Sequence, residues 1–301
     1  MTREDAERLL ELSREADFLG SDREAWLGRL EPERDALEDA IRWFAENGDA
    51  AACELAANVW RLWFATGDVA GGRRVLAAAL AQDGPPSRAR ALALYADGVL
   101  AFRAGEQSES RARNEAALET ARAVDDREAW SLALVGLSRV AFRDGDYDRV
   151  RSLADEARQL TRSLAPDAGV MPLHMLAAGT RLSGDLDGAV KLYTESLELN
   201  RSLGDTYMAG VELHNLGHVE IHRGNVGTAR RLFAECEATR SDDNPYDLAM
   251  TNLNQAALAF AAADSERAAE LLSQTQTTLD AAGIALDPDD QFEVDWLRER
   301  L

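Results

Sequence analysis

The stretch His214–Phe233, HNLGHVEIHRGNVGTARRLF, divides into two helical segments around Gly224-Asn225. A glycine just past a helix takes the left-handed backbone conformation that other residues resist. The Asn after it is placed to cap the next helix. The same helix–turn–helix pattern recurs along the chain: FATGDVAGGRRVLAAAL, FRAGEQSESRARNEAAL, FRDGDYDRVRSLADEA, RLSGDLDGAVKLYTESL, IHRGNVGTARRLFAEC and FAAADSERAAELLSQT. Its turn positions are Gly67, Gly105, Gly145, Gly184, Gly224 and Ala263, so successive steps are 38, 40, 39, 40 and 39 residues. A period this regular belongs to a solenoid of stacked units. Longer breaks fall between units, at DGPPS (83–87), APDAG (165–169) and SDDNP (241–245), where Pro and Gly stop helices. No segment has the alternation of a strand. The pattern predicts an all-α chain of helical hairpins throughout.

Composition narrows the function. The 301 residues carry 33 basic and 54 acidic side chains, a formal charge of −21. So acidic a chain, with no Lys/Arg cluster, repels phosphate backbones and anionic bilayers, so neither nucleic acid nor membrane is an expected partner of this chain alone. Cys53 and Cys236 are too few and too far apart for a disulfide framework or a zinc knuckle. The charged, helical N-terminus MTREDAERLLELSREAD is unlike a secretory signal, and charges such as Glu54 and Arg61 cut the apolar runs short of a membrane span. A cytoplasmic location is expected.

Two family resemblances follow. Leu216-Gly217, the turn Gly224-Asn225, then Ala229 and Phe233 resemble the tetratricopeptide repeat, and Ala189 and Tyr193 repeat its second half. Small residues let the paired helices approach, and the aromatic fills the gap between units. Elsewhere Ser110 and Asn114, or Val150 and Ala154, stand in those places, the terminal proline is missing, and the period exceeds the usual length of about 34. Nearer the N-terminus, Trp26-Leu27, Glu33, Asp35, Trp43, the cluster Trp60-Arg61-Leu62-Trp63-Phe64 and Gly72-Arg73-Arg74 resemble the start of the helical-repeat region in large LuxR-type and related STAND-class actinobacterial regulators. That resemblance implies a sensor or interaction module, either standing alone or as part of a larger regulator. No Gly-x4-Gly-Lys-[Ser/Thr] phosphate loop and no basic recognition helix is present. The fold expected is a right-handed α-solenoid: capping helices over 1–47, six hairpins over 48–284, and a closing helix over 285–301 that seals the last hairpin.

By resemblance to tetratricopeptide arrays, residues three, six and ten before the turn glycine line the groove, with the residue two before it nearby. Three of the four histidines, His214, His218 and His222, then lie ten, six and two before Gly224, and His174 lies ten before Gly184. All four are expected on one patch. They are open to three readings: plain groove polarity, with His222 favouring a helix C-terminus; hydrogen bonding and stacking to a peptide or small molecule; or metal ligation by an i, i+4 pair, with no cysteine close by and Glu220 pointing elsewhere.

Arg61, Arg139, Arg181, Tyr95, Phe102 and Phe142 fall at further lining positions, Arg103 and Arg143 beside them. They make an aromatic, basic groove in an acidic chain, suited to an anionic ligand or to a partner helix with acidic and apolar faces. The plainer account is helix-dipole compensation and core packing. Asn215 and Asn254, one residue beyond the lining, are suited to bond either a ligand backbone or the adjoining hairpin. Trp43, Trp60 and Trp63 are expected to pack the first hairpins.

No catalytic motif is found, and no cofactor or resident metal is expected. Three functions remain: a regulatory module holding a protein or peptide segment in its groove, a small-molecule or metal sensor centred on the histidines, or a passive scaffold.

Overall fold

The computed structural model describes residues 1–18, 22–81, 84–240, 244–282 and 285–301. Asp83 and residues 241–243, within two of the expected breaks, lie outside them. All regular structure among the described residues is helical: sixteen α-helices and two short 3-10 segments. None of these helices is long and apolar enough to cross a membrane.

After α1 (Arg3–Glu15), α2 (Arg23–Leu30) and α3 (Arg34–Glu46) come six helix pairs: α4 (Ala51–Thr66) with α5 (Val69–Leu80), α6 (Arg88–Arg103) with α7 (Gln107–Ala123), α8 (Arg127–Arg143) with α9 (Tyr147–Thr161), α10 (Val170–Leu182) with α11 (Leu186–Leu203), α12 (Thr206–His222) with α13 (Val226–Glu237), and α14 (Pro245–Ala261) with α15 (Ser265–Ala282). A last helix, α16 (Pro288–Arg298), closes the described chain.

The turns are built as the period predicts. Gly67, Gly105, Gly145, Gly184 and Gly224 have φ between 75° and 92°, and Ala263 takes the same left-handed conformation at 61°. The residue after the turn caps the next helix where it is aspartate: Asp68, Asp146, Asp185 and Asp264 each accept from a backbone N–H three residues on. Asn225 departs from this, because its side chain donates to Glu220 at 2.6 Å instead.

The chain forms two compact units, Met1–Met175 and Leu176–Leu301, the division falling within α10. In the first, Trp63, Leu55, Leu62, Leu37 and Ile41 are fully buried, with Trp60 and Tyr95 also in the core. The repeat's aromatic slot is filled differently in each unit. In the second, Phe233 is buried against Gly217, where an added Cβ would come 2.2 Å from its ring. In the first, Asn114 takes the corresponding place, wedged between Gly98 and Gly136 and donating to the Ser110 carbonyl at 2.8 Å. A buried polar group needs such a partner, so the Ser110–Asn114 departure from the repeat pattern is an internally bonded substitute for the aromatic.

Candidate functional site

A buried polar cluster lies in the second unit. Helical phase brings His214, His218 and His222 to one side of α12. The facing groups come from α16. Its buried residues are Asp290, Glu293, Val294 and Leu297, an i, i+3, i+4, i+7 stripe half apolar and half acidic. The apolar half joins the core of this unit, where Phe260 meets Trp296 edge-on at 5.3 Å. The acidic half meets the histidines. His214 Nε2 lies 2.8 Å from Asp290 Oδ1, His222 Nε2 2.8 Å from Glu293 Oε2, and His218 Nδ1 3.2 Å from the same oxygen. The Trp296 ring stands edge-on to His222, 4.3 Å between centroids.

Arg181, from the end of α10, completes the centre. Its Nη2 is 3.0 Å from Glu293 Oε1, with side chains 2% and 1% exposed. It donates also to Asn215 Oδ1 at 2.6 Å and to the Asp289 carbonyl at 3.2 Å. Asn254 accepts from His218 Nε2 at 3.2 Å, and the Tyr246 hydroxyl donates to Asp290. Both asparagines thus bond the adjoining hairpin. Glu220 does point elsewhere, toward Arg223 and Asn225.

Burial and charge pull against each other in this centre. For Glu293, burial raises the pKa, but His218, Arg181 and the hydrogen bond from His222 outweigh it and hold the carboxyl well below its usual range. Arg181 behaves reciprocally: burial alone would weaken its charge, and Glu293 more than restores it. Asp290 is raised by burial, which Tyr246, His218 and Arg181 offset only in part. His214 is pushed well below 6.5 by burial and by the nearby charges of His218, Arg240 and Arg181, so near neutral pH its ring is uncharged and Nε2–H donates to Asp290.

The contacts of α16 extend beyond the last hairpin. The helix reaches back over α14 to α12 and to Arg181 of α10, because the two carboxylates on its buried stripe require cations, and α14 supplies the Tyr246 hydroxyl but no cation. The sequence reading missed Asp290 and Glu293. Their signal was two acids at core positions of an amphipathic helix, which demand a buried partner. His174 belongs to the first unit and is half-buried; the other three histidines belong to the second. Among the described residues no group of three or more His, Cys, Asp or Glu could hold a metal ion.

The remaining predicted lining residues lie in the first unit. Tyr95, Phe102 and Phe142 are buried, Arg61 and Arg139 half-buried. Arg143 stacks on Phe102, Cζ to ring 3.6 Å, and Arg103 on Phe64 at 5.1 Å, so each of these arginines covers the aromatic of the preceding repeat. Arg139 Nη1 donates to the Tyr95 hydroxyl at 3.3 Å, and Arg61 lies over Trp60 at 4.7 Å.

Neither a family model nor a curated protein matches the chain. Solved helical-repeat structures do. A Rap protein complexed with competence and sporulation factor is 15% identical with a TM-score of 0.65, over 98% of this chain and 79% of that one. NprR in complex with its cognate peptide NprX is 13% identical at 0.60, over 89% and 82%. A tetratricopeptide repeat protein from Parabacteroides merdae is 14% identical at 0.58, over 98% and 99%. At such identities the likeness establishes the fold: an α-solenoid of tetratricopeptide-type hairpins.

Proposed function

We propose that this chain is a non-enzymatic, regulatory protein- or peptide-binding module. In this reading the wall made by α12, α14 and the end of α10 receives an amphipathic helix with an acidic stripe. One observation carries it: the wall already holds such a helix, the chain's own α16, through Arg181 and three histidines against Asp290 and Glu293. A surface complementary to one acidic helix is complementary to another of like pattern, and α16 then acts as a resident competitor that a partner displaces. The regulatory context rests on the resemblance of the first third to the repeat region of LuxR-type and STAND-class regulators. The cognate peptide held in the NprR structure, and the factor complexed with the Rap protein, are consistent with it.

The test is a labelled peptide of sequence ALDPDDQFEVDWLRERL, residues 285–301, titrated into the full chain. It is expected to bind the Glu293→Gln chain, whose own helix is weakened, at least tenfold more tightly than wild type. A peptide with Gln in place of that glutamate is expected to bind neither. Absence of binding to both chains, or equal affinity for the two peptides, rejects the reading.

A further inference from the structure

In the second unit the lining arginine Arg181 is matched by Glu293. The first unit presents the converse. Arg61 of α4 and Arg139 of α8 occupy equivalent positions, six before Gly67 and Gly145, on either side of α6. Among the described residues no carboxylate lies within ion-pair distance of either. Most arginines of this unit are paired, as Arg73 is with Asp97 and Arg88 with Asp126. Arg74, Arg127, Arg149 and Arg162, which also lack a carboxylate partner among the described residues, are exposed to water. Arg61 and Arg139 are not. A half-buried guanidinium without a counter-ion is costly, and in a chain with 54 acidic side chains its isolation is not for want of partners.

Three donor groups converge here. α6 brings Tyr95 within reach of Arg139 and into the electrostatic surroundings of Arg61. Its hydroxyl accepts from Arg139 at 3.3 Å, which leaves its own proton free to donate. Trp60 stands edge-on to Tyr95 at 6.3 Å and underlies the Arg61 guanidinium. The other charges facing Arg61 are Arg23, which repels it, and Asp17, whose attraction is the weakest of these influences; burial, Arg139 and Arg23 together lower the Arg61 pKa. Two cations near enough to feel one another's charge, a phenol bonded to one of them and an aromatic ring under the other form a receptor for an anion with an apolar body.

We propose that Arg61, Arg139 and Tyr95 form a binding site for a small organic anion, a carboxylate or a phosphate, separate from the wall that holds α16. The site needs no contribution from the second unit, so its fate does not depend on the partner-helix reading.

The experiment is calorimetric titration of the full chain with inorganic phosphate and, separately, with phenylacetate, at constant ionic strength set by chloride. At least one probe is expected to saturate a single site and to raise the melting temperature in proportion to its occupancy. Saturation by phosphate alone identifies a phosphate site, and by phenylacetate alone a carboxylate site; either supports the proposal. Arg61→Gln and Arg139→Gln are each expected to weaken binding tenfold or more. Neither lowers the melting temperature of the ligand-free chain, since each removes an uncompensated charge. Glu293→Gln leaves the affinity unchanged. Failure of both probes to bind at millimolar concentration overturns the proposal, as does unaltered binding in the Arg61→Gln/Arg139→Gln double variant. A ligand-free melting temperature lowered by both single substitutions, without a binding defect, makes the arginines structural and overturns it too.

Discussion

Replacing Glu293 with glutamine tests what holds α16 in place. The change removes one charge and little volume. It leaves Arg181, 2% exposed, facing an amide instead of a carboxylate. Stripping one partner from a buried ion pair costs about 3–5 kcal/mol. Arg181 retains Asn215 Oδ1 at 2.6 Å and the Asp289 carbonyl at 3.2 Å, so the lower end, about 3 kcal/mol, applies here. The chain also has an escape short of global unfolding: if α16 lifts, Arg181 meets water. The cost should therefore appear as local opening of α16, at roughly 100-fold per 3 kcal/mol. Hydrogen exchange resolved by segment reads this directly. Amides of 288–298 are expected to exchange about 100-fold faster in Glu293→Gln, while those of α13 and α15 stay within threefold. Replacing both partners with methionine should restore part of the α16 protection, because it leaves no orphaned guanidinium, while His218 and His222 still lose the Glu293 carboxylate. Unchanged exchange in α16, or an equal rise across the whole unit, would refute the assignment of the ion pair as its anchor.

Other expectations follow from the same structure. The folded His214 titrates well below 6.5, so as pH falls through about 6.5 the unfolded chain takes up a proton that the folded chain refuses, and stability declines by about 1.4 kcal/mol at pH 5.5. Asp290, raised by burial, acts with the opposite sign in the range above its ordinary value. Denaturant melts at pH 7.0 and 5.5 should give His214→Gln a shallower pH dependence than wild type; parallel curves would contradict the buried neutral ring. Gly217→Ala forces a methyl against the Phe233 ring, which it would meet at 2.2 Å. Overpacking of that kind costs about 1–3 kcal/mol, measurable as a lower denaturation midpoint. Ala263→Gly should raise it, by about 0.5–1 kcal/mol, since the left-handed turn costs alanine roughly 1–2 kcal/mol and the added chain freedom of glycine returns part of that. A neutral or destabilising result would mean the Ala263 methyl makes contacts that repay the strain.

What the sequence determined by itself is the local and periodic part. Left-handed turns recur because glycine, or once alanine, stands at steps of 38 to 40 residues between Gly67 and Ala263. Helical phase puts His214, His218 and His222 on one side of α12 whatever surrounds them. Ala229, Phe233 and Gly217 record how closely paired helices pack. Asn114 shows where this record thins, since its fit between Gly98 and Gly136 depends on three helices together. Tertiary structure alone decided what the histidines face. Their carboxylate partners lie 71 to 76 residues further along, and no periodicity links the two segments. A helix ending the described chain can pack on any exposed wall. It settles where its buried acids find buried cations and donors, and only the folded arrangement of α10, α12 and α14 gathers Arg181 and the histidines within reach of Asp290 and Glu293.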